Sequence, residues 1–159
     1  PAGGRRQEGR DLGERLERAL VEASGEADVV AILGSDHPDL PAERVEQALE
    51  AVERGADLAL GPTPDGGYYL IAARPERWPR GLLDGVAWST SRTLETTLRK
   101  ARAAGLRVAL LAPHEDVDTP DDLERLAARL AAGPAGECPR TRALLGRMGG
   151  GGEVAGCGS

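Results

Sequence analysis

Three short stretches hold most of the residues in this chain that could do chemistry. The first is Gly34-Ser35-Asp36-His37-Pro38-Asp39-Leu40. The apolar run Val29 to Leu33 leads into it, so it reads as the C-terminal end of a buried strand, where ligands bind in open α/β sheets. Asp36 there has two readings. It ligates a hard divalent cation, with Asp39 as an outer partner, or it closes an Asx-turn before the proline. The second stretch is His114-Glu115-Asp116-Val117-Asp118-Thr119-Pro120-Asp121-Asp122-Leu123. In an extended chain Asp116 and Asp118 point to the same side. A helix start follows them, and a helix N-terminus attracts anions, so a cation set between these carboxylates and a diphosphate would be stabilised. Asp121 and Asp122 read as first-turn acids complementing the helix dipole. The third stretch is Gly61-Pro62-Thr63-Pro64-Asp65-Gly66-Gly67. Asp-Gly is a hairpin signal. Gly66 and Gly67 also permit close approach of a ligand to the backbone, with Asp65 placed to hydrogen-bond a sugar or acceptor hydroxyl. Tyr68 and Tyr69, next in the chain, point to opposite faces, so at most one lines a site.

Other candidates carry less. His37 and His114 are the only histidines, too few for a histidine metal site, and His37 reads as a solvated loop residue. Cys138 and Cys157 form neither a metal-ligand pair nor a disulfide framework. No Gly-x-Ser-x-Gly elbow occurs. Trp88 reads as a core or cleft-wall residue, Ser89 and Thr90 as helix caps, and Arg15 as part of a solvated helix face. The Gly149–Gly152 run lacks the Lys-Ser or Lys-Thr of a phosphate loop.

The elements that must position these residues follow from periodicity. Leu12, Leu16, Ala19, Leu20 and Ala23 recur at helical spacing; Asp11 and Glu14 form a potential capping box, and Gly25 ends the helix. Val29 to Leu33 is the first strand. Pro41 opens a second helix with Val45, Ala48, Leu49 and Val52 on one face, and Gly55 stops it. Asp57 to Leu60 and Tyr68 to Ala72 are strands joined by so short a link that they should be antiparallel neighbours. A single helical turn is expected at Leu82. A helix capped by Ser89 or Thr90 runs to about Ala104 and ends at Gly105. Leu106 to Leu111 is a fourth strand. Thr119, Pro120 and Asp122 read as N-cap, N1 and N3 of a last helix with Leu123, Leu126, Ala127 and Leu130 inside. Residues 1–10 read as a loose segment, 11–132 as the folded domain, and 133–159 as a flexible tail with at most a weak helix at Arg142 to Arg147. Strands alternating with helices imply an α/β domain, its sheet mostly parallel with one antiparallel excursion.

Composition narrows the partners. The 159 residues are 40% hydrophobic and 29% charged, as in a globular domain large enough for a real core. The net charge of −6 argues against nucleic acid as a partner, since that would want a basic stripe. No apolar run approaches the roughly 18 residues of a membrane span, and no signal peptide is visible at the N-terminus. The default setting is cytoplasmic and reducing.

Four segments occur together in order: GRDLGERL, LGSDHPDLP, LGPTPDGGYYLI and, after VAWST, DVDTPDDL. In this combination the chain resembles the DUF2064 family over about Gly9 to Leu130. These are glycosyltransferase-like proteins of the radical-SAM/selenodomain-associated type. More distantly it is similar to the molybdenum cofactor guanylyltransferases and the phospholactate guanylyltransferase. The resemblance implies a GT-A or nucleotide-diphospho-sugar transferase fold, Rossmann-like, with a mixed, mainly parallel sheet and helices on both faces. It implies that Asp36 occupies a first metal-carboxylate position and Asp118, with Asp116, a second. The ion would be Mg2+ or Mn2+, with Gly34, Ser35, Gly66 and Gly67 lining the nucleotide or sugar and Asp65 at the sugar or acceptor pocket. The implied partners are a nucleotide or nucleotide-sugar and a small-molecule acceptor. The implied activity is metal-dependent glycosyl transfer. The alternatives are guanylyltransferase-like nucleotidyl transfer to a phosphorylated acceptor, or a non-catalytic binding module. The chain departs from the family pattern at one point. The opening strand, Gly-rich loop with Lys and Arg, and helix have no counterpart before Asp11, so the sequence reads as the C-terminal part of the domain, lacking the first βα unit.

Overall fold

A computed structural model describes residues 7–134 and 137–149. The chain divides into two compact units. One comprises Pro1–Gly34 and Pro41–Glu115, and the other Ser35–Leu40 and Asp116–Ser159. The first unit holds α1 (Leu12–Glu22), β1 (Val30–Leu33), α2 (Ala42–Glu53), β2 (Leu58–Pro62), β3 (Tyr68–Ala73), a 3-10 turn at Pro75–Arg77, α3 (Thr93–Ala103) and β4 (Val108–Leu110). The second holds α4 (Pro120–Ala132) and α5 (Pro139–Gly149).

The four strands form one sheet in the order β1-β3-β2-β4. β3 is antiparallel to both β1 and β2, and β4 is parallel to β2. Three strands therefore run one way and β3 alone runs back, which is the mostly parallel sheet with one excursion that the sequence implies. The odd strand sits inside the sheet, so two of the three pairings are antiparallel even though three strands share a direction. Asp57 fastens the parallel pair at its start. Its carboxylate accepts the Arg107 backbone N–H at 2.9 Å and the Arg107 Nε–H at 3.2 Å, and these bonds hold it below the usual carboxylate range.

An irregularity between Gly61 and Pro62 sets the faces of the sheet. Gly61 pairs with Leu70 but Pro62 with Tyr68, so Tyr69 is an extra residue in β3. The bulge reverses the alternation. Tyr68 joins Leu58, Leu60, Ile71 and Ala73 on one face, where Leu16, Leu82, Leu83, Val86 and Ala101 complete the core and Trp78 and Trp88 pack at its border. Tyr68 and Trp88 meet edge to face at 6.1 Å, and burial raises the Tyr68 phenol above its ordinary value, with the Thr97 hydroxyl opposing. Tyr69 lies over Gly61 on the other face: a Cβ at Gly61 would fall 2.2 Å from its ring. Its hydroxyl donates to the Ala112 carbonyl at 3.1 Å. α2 packs on β1, β2 and β3, burying Ala48 and Val52 outside the first core cluster. Helices thus cover both faces, and each buried Leu adds about 1.5–3 kcal/mol relative to exposure.

The helix starts differ from expectation in instructive ways. Asp11 caps α1 by accepting the Glu14 N–H at 2.9 Å. The reciprocal half of the box is absent because Glu14 turns back one residue further, to the Arg10 backbone N–H at 2.7 Å and Nε–H at 3.1 Å. Pro41 is the N-cap of α2 rather than its first residue. Neither Ser89 nor Thr90 caps α3, which begins at Thr93 after Arg92. Thr90 donates to the Ala87 carbonyl at 2.7 Å, closing the turn before the helix, and the Leu94 N–H is taken by the Gly66 carbonyl at 2.8 Å. The helical turn expected at Leu82 falls instead at Pro75–Arg77. Pro75 presets φ there, while Gly81 (φ +75°) and Gly85 (φ +67°) break the later segment into turns.

In the second unit Thr119, Pro120 and Asp122 open α4 with a complete capping box, as the sequence predicts. α5 is longer than the weak helix expected at Arg142 to Arg147. Residues 1–6 of the N-terminal segment expected to be loose and residues 150–159 of the tail expected to be flexible lie outside the described residues.

Candidate functional site

The hairpin carrying Asp65 belongs to the first unit. The Gly66 N–H donates to the Thr63 carbonyl and the Thr63 N–H to the Gly67 carbonyl, both at 3.1 Å. With Gly66 at φ +91° this is a three-residue hairpin loop ending in a left-handed glycine. Asp65 Oδ1 accepts the Gly67 N–H at 3.0 Å and the hydroxyl of buried Thr63. Its carboxylate has no further partner among the described residues, and the residue is exposed. The two glycines serve the protein's own packing. A Cβ at Gly66 would meet the Ser91 carbonyl oxygen at 2.2 Å, and one at Gly67 the Thr63 hydroxyl at 2.9 Å. The close approach expected of a ligand at Gly66 is made here by the Ser91 backbone.

Gly34 also belongs to the first unit. Its N–H donates to the Tyr69 carbonyl at 2.9 Å, continuing the β1–β3 ladder and leaving Ser35 exposed at the head of the next loop.

The other acids gather in the second unit, where Ser35–Leu40 sits with the segment that begins at Asp116. The Val117 N–H donates to the Asp36 carbonyl at 3.0 Å, so Asp116 and Asp118 flank the residue that touches Asp36. Asp118 is exposed. Its N–H donates to Asp122 at 3.2 Å, and its carboxylate has no partner among the described residues. The Asp36 side chain is 45% exposed, with Oδ1 3.2 Å from His37 Nε2 and no partner at Oδ2 among the described residues. Asp116 is half-buried and has an interaction of its own. Among the described residues no three His, Cys, Asp or Glu side chains are grouped to hold an ion, so these acids do not form a three-ligand cage. Asp36 Oδ2 and the Asp118 carboxylate, on loops joined by the Val117 to Asp36 bond, are oxygen donors of the kind that suits Mg2+ or Mn2+, which usually keeps water and takes its remaining ligands from substrate phosphates.

His37 departs from expectation: its side chain is 4% exposed rather than solvated. The only sequence signal was its position directly after a candidate ligand. Asp39, expected as an outer partner, accepts the Arg129 Nε–H at 3.0 Å. No sequence signal marks Arg129, because α4 reads as an ordinary amphipathic helix. Cavities lie elsewhere in the first unit. One of about 250 Å3 has Arg15 and Arg18 interleaved with Glu8, Glu22 and Glu26, a mixed lining that does not favour a phosphate. One of about 340 Å3 lies beside Arg80 and Lys100.

The family model described as "Uncharacterized protein conserved in bacteria (DUF2064)" matches residues 3–90, more than half of the chain. The chain belongs to this family. A solved structure from Desulfovibrio desulfuricans G20, a protein provisionally named a nucleotide-diphospho-sugar transferase, is 37% identical with a TM-score of 0.81. The alignment covers 90% of this chain and 62% of that one, so this family member spans less than two thirds of the solved relative. Its α/β fold is that of the solved structure. No curated protein matches, and among the described residues no helix is long and apolar enough to cross a membrane.

Proposed function

We propose that this protein is a metal-dependent transferase acting on a nucleotide-activated sugar, with Asp36 and Asp118 as carboxylate ligands of a divalent cation. One observation carries the reading. The loops bearing Asp36 and Asp118 belong to one compact unit and are joined by the Val117 to Asp36 hydrogen bond, with both carboxylates exposed and Asp36 Oδ2 and Asp118 unengaged. The designation of the solved relative supports the choice of a nucleotide-sugar donor.

Asp36 and Asp118 would hold Mg2+ or Mn2+, which would supply electrostatic stabilisation for the negative charge developing on the diphosphate leaving group. In the transfer an acceptor oxygen forms a bond to the anomeric carbon, the bond from that carbon to the diphosphate oxygen breaks, and the nucleoside diphosphate departs. The acceptor proton passes to solvent in this step.

The test is calorimetric titration of the protein with Mn2+ and a panel of nucleoside diphosphate sugars, repeated with Asp36→Ala and Asp118→Ala. Loss of Mn2+-dependent binding in each variant supports the assignment, and binding that survives both overturns it. Product analysis separates the chemistries: release of nucleoside diphosphate marks glycosyl transfer, whereas pyrophosphate from a triphosphate would replace it with nucleotidyl transfer.

A further inference from the structure

We propose that His37 is a positioning residue for Asp36: its Nε2–H donates to Oδ1 and so presents Oδ2 to the cation. This rests on the metal reading above. Neighbouring residues of an extended chain point to opposite faces, so contact between the side chains of residues 36 and 37 requires a turned backbone. The loop has one, closed by the Leu40 N–H to the His37 carbonyl at 3.1 Å. The contact is also asymmetric. The His37 side chain is 4% exposed and its partner carboxylate 45%, so the imidazole is the fixed member and the carboxylate the oriented one.

The loop around His37 is anchored at each neighbouring residue. The Asp36 carbonyl accepts the Val117 N–H at 3.0 Å, the Pro38 carbonyl accepts the Cys138 S–H at 3.3 Å, and Asp39 accepts the Arg129 Nε–H at 3.0 Å. A carboxylate on a free loop loses rotamer freedom when it ligates an ion; one already held by a hydrogen-bonding neighbour loses less. Partners of this kind change metal affinity by about 10–100-fold when removed.

The test measures Mn2+ binding to the full chain, without nucleotide, from the electron paramagnetic resonance signal of the free ion. Gln carries a donor at the reach of Nε2; Leu fills similar space without one. His37→Gln should bind within about threefold of the parent, and His37→Leu should bind about 10–100-fold more weakly while keeping the parent's thermal unfolding midpoint. Equal binding by His37→Leu and the parent, with Asp36→Ala inactive, overturns the positioning role and spares the metal site. Binding that survives Asp36→Ala overturns the metal site and the positioning role with it. A second measurement needs no metal. Imidazole nitrogen NMR of the parent should show a proton on Nε2 with slowed exchange, faster in Asp36→Ala. A proton on Nδ1 alone overturns the proposal whatever the metal result.

Discussion

Two loops of this protein carry aspartates of the same type in similar sequence settings, each after a strand and beside a glycine and a proline, yet they do different work with them. In the Thr63–Gly67 hairpin one Asp65 oxygen accepts both the Thr63 hydroxyl and the Gly67 N–H. The same loop presses its backbone against Ser91 and offers the Gly66 carbonyl to α3. In the Ser35–Leu40 loop the backbone is held by its neighbours, but the Asp36 carboxylate stays exposed with Oδ2 unengaged. The difference teaches that residue type nominates a candidate, while the destination of each hydrogen bond separates an acid that builds a turn from one offered to a ligand.

The contrast breaks most visibly at Gly66. Gly66→Ala should destabilise the fold by about 3 kcal/mol, since a left-handed non-glycine costs about 1–3 kcal/mol and the new Cβ would collide with the Ser91 backbone. Urea unfolding reads this, and a loss under about 1 kcal/mol would show that the contact relaxes freely. The same denaturation curve applied to Thr63→Val should lose about 1 kcal/mol, the net worth of a buried hydrogen bond. Asp36→Ala should reverse the pattern: unfolding within about 0.5 kcal/mol of the parent, with Mn2+ binding lost. A large stability loss there would assign Asp36 to the turn and erase the contrast.

The smallest effect concerns a third kind of acid, engaged and half-buried on a helix. Bonds from Arg10 hold Glu14 down to about 2, below an unfolded value near 4.3. Its contribution to stability is therefore complete above about pH 4.3 and fades as pH falls toward 2. Glu14→Gln should lower the thermal midpoint slightly at pH 6, and the gap should narrow as pH falls toward 2. A gap that persists unchanged would mean the carboxylate charge plays no part.

Much of the local structure is legible in the sequence. The α4 cap at Thr119 and Asp122 and the β2–β3 hairpin are fixed by residues within a few positions of one another, so spacing suffices. Where a distant group intervenes, it does not. Thr90 fails to cap α3 because Gly66, far away in the chain, supplies the acceptor. Glu14 leaves Asp11 for Arg10, a choice among near neighbours that pattern matching cannot rank. The central place of β3 is a matter of strand order, which no local signal encodes. At the candidate site the acids are legible by type and position, whereas no local pattern encodes the burial of His37, and the Arg129 ion pair joins residues 90 positions apart.

The bulge at Tyr69 also has a spectroscopic consequence. With no Phe in the sequence, Tyr68, Tyr69, Trp78 and Trp88 are its whole aromatic complement, and all belong to the sheet-bearing unit. By turning Tyr68 onto the face that Trp88 borders, the bulge sets an energy donor 6.1 Å from an acceptor. Intrinsic fluorescence is therefore a private signal of that unit. The helical unit that carries Asp36 and Asp118 melts in darkness, visible to circular dichroism but not to emission, so a lag between the two signals would time its unfolding without any added label.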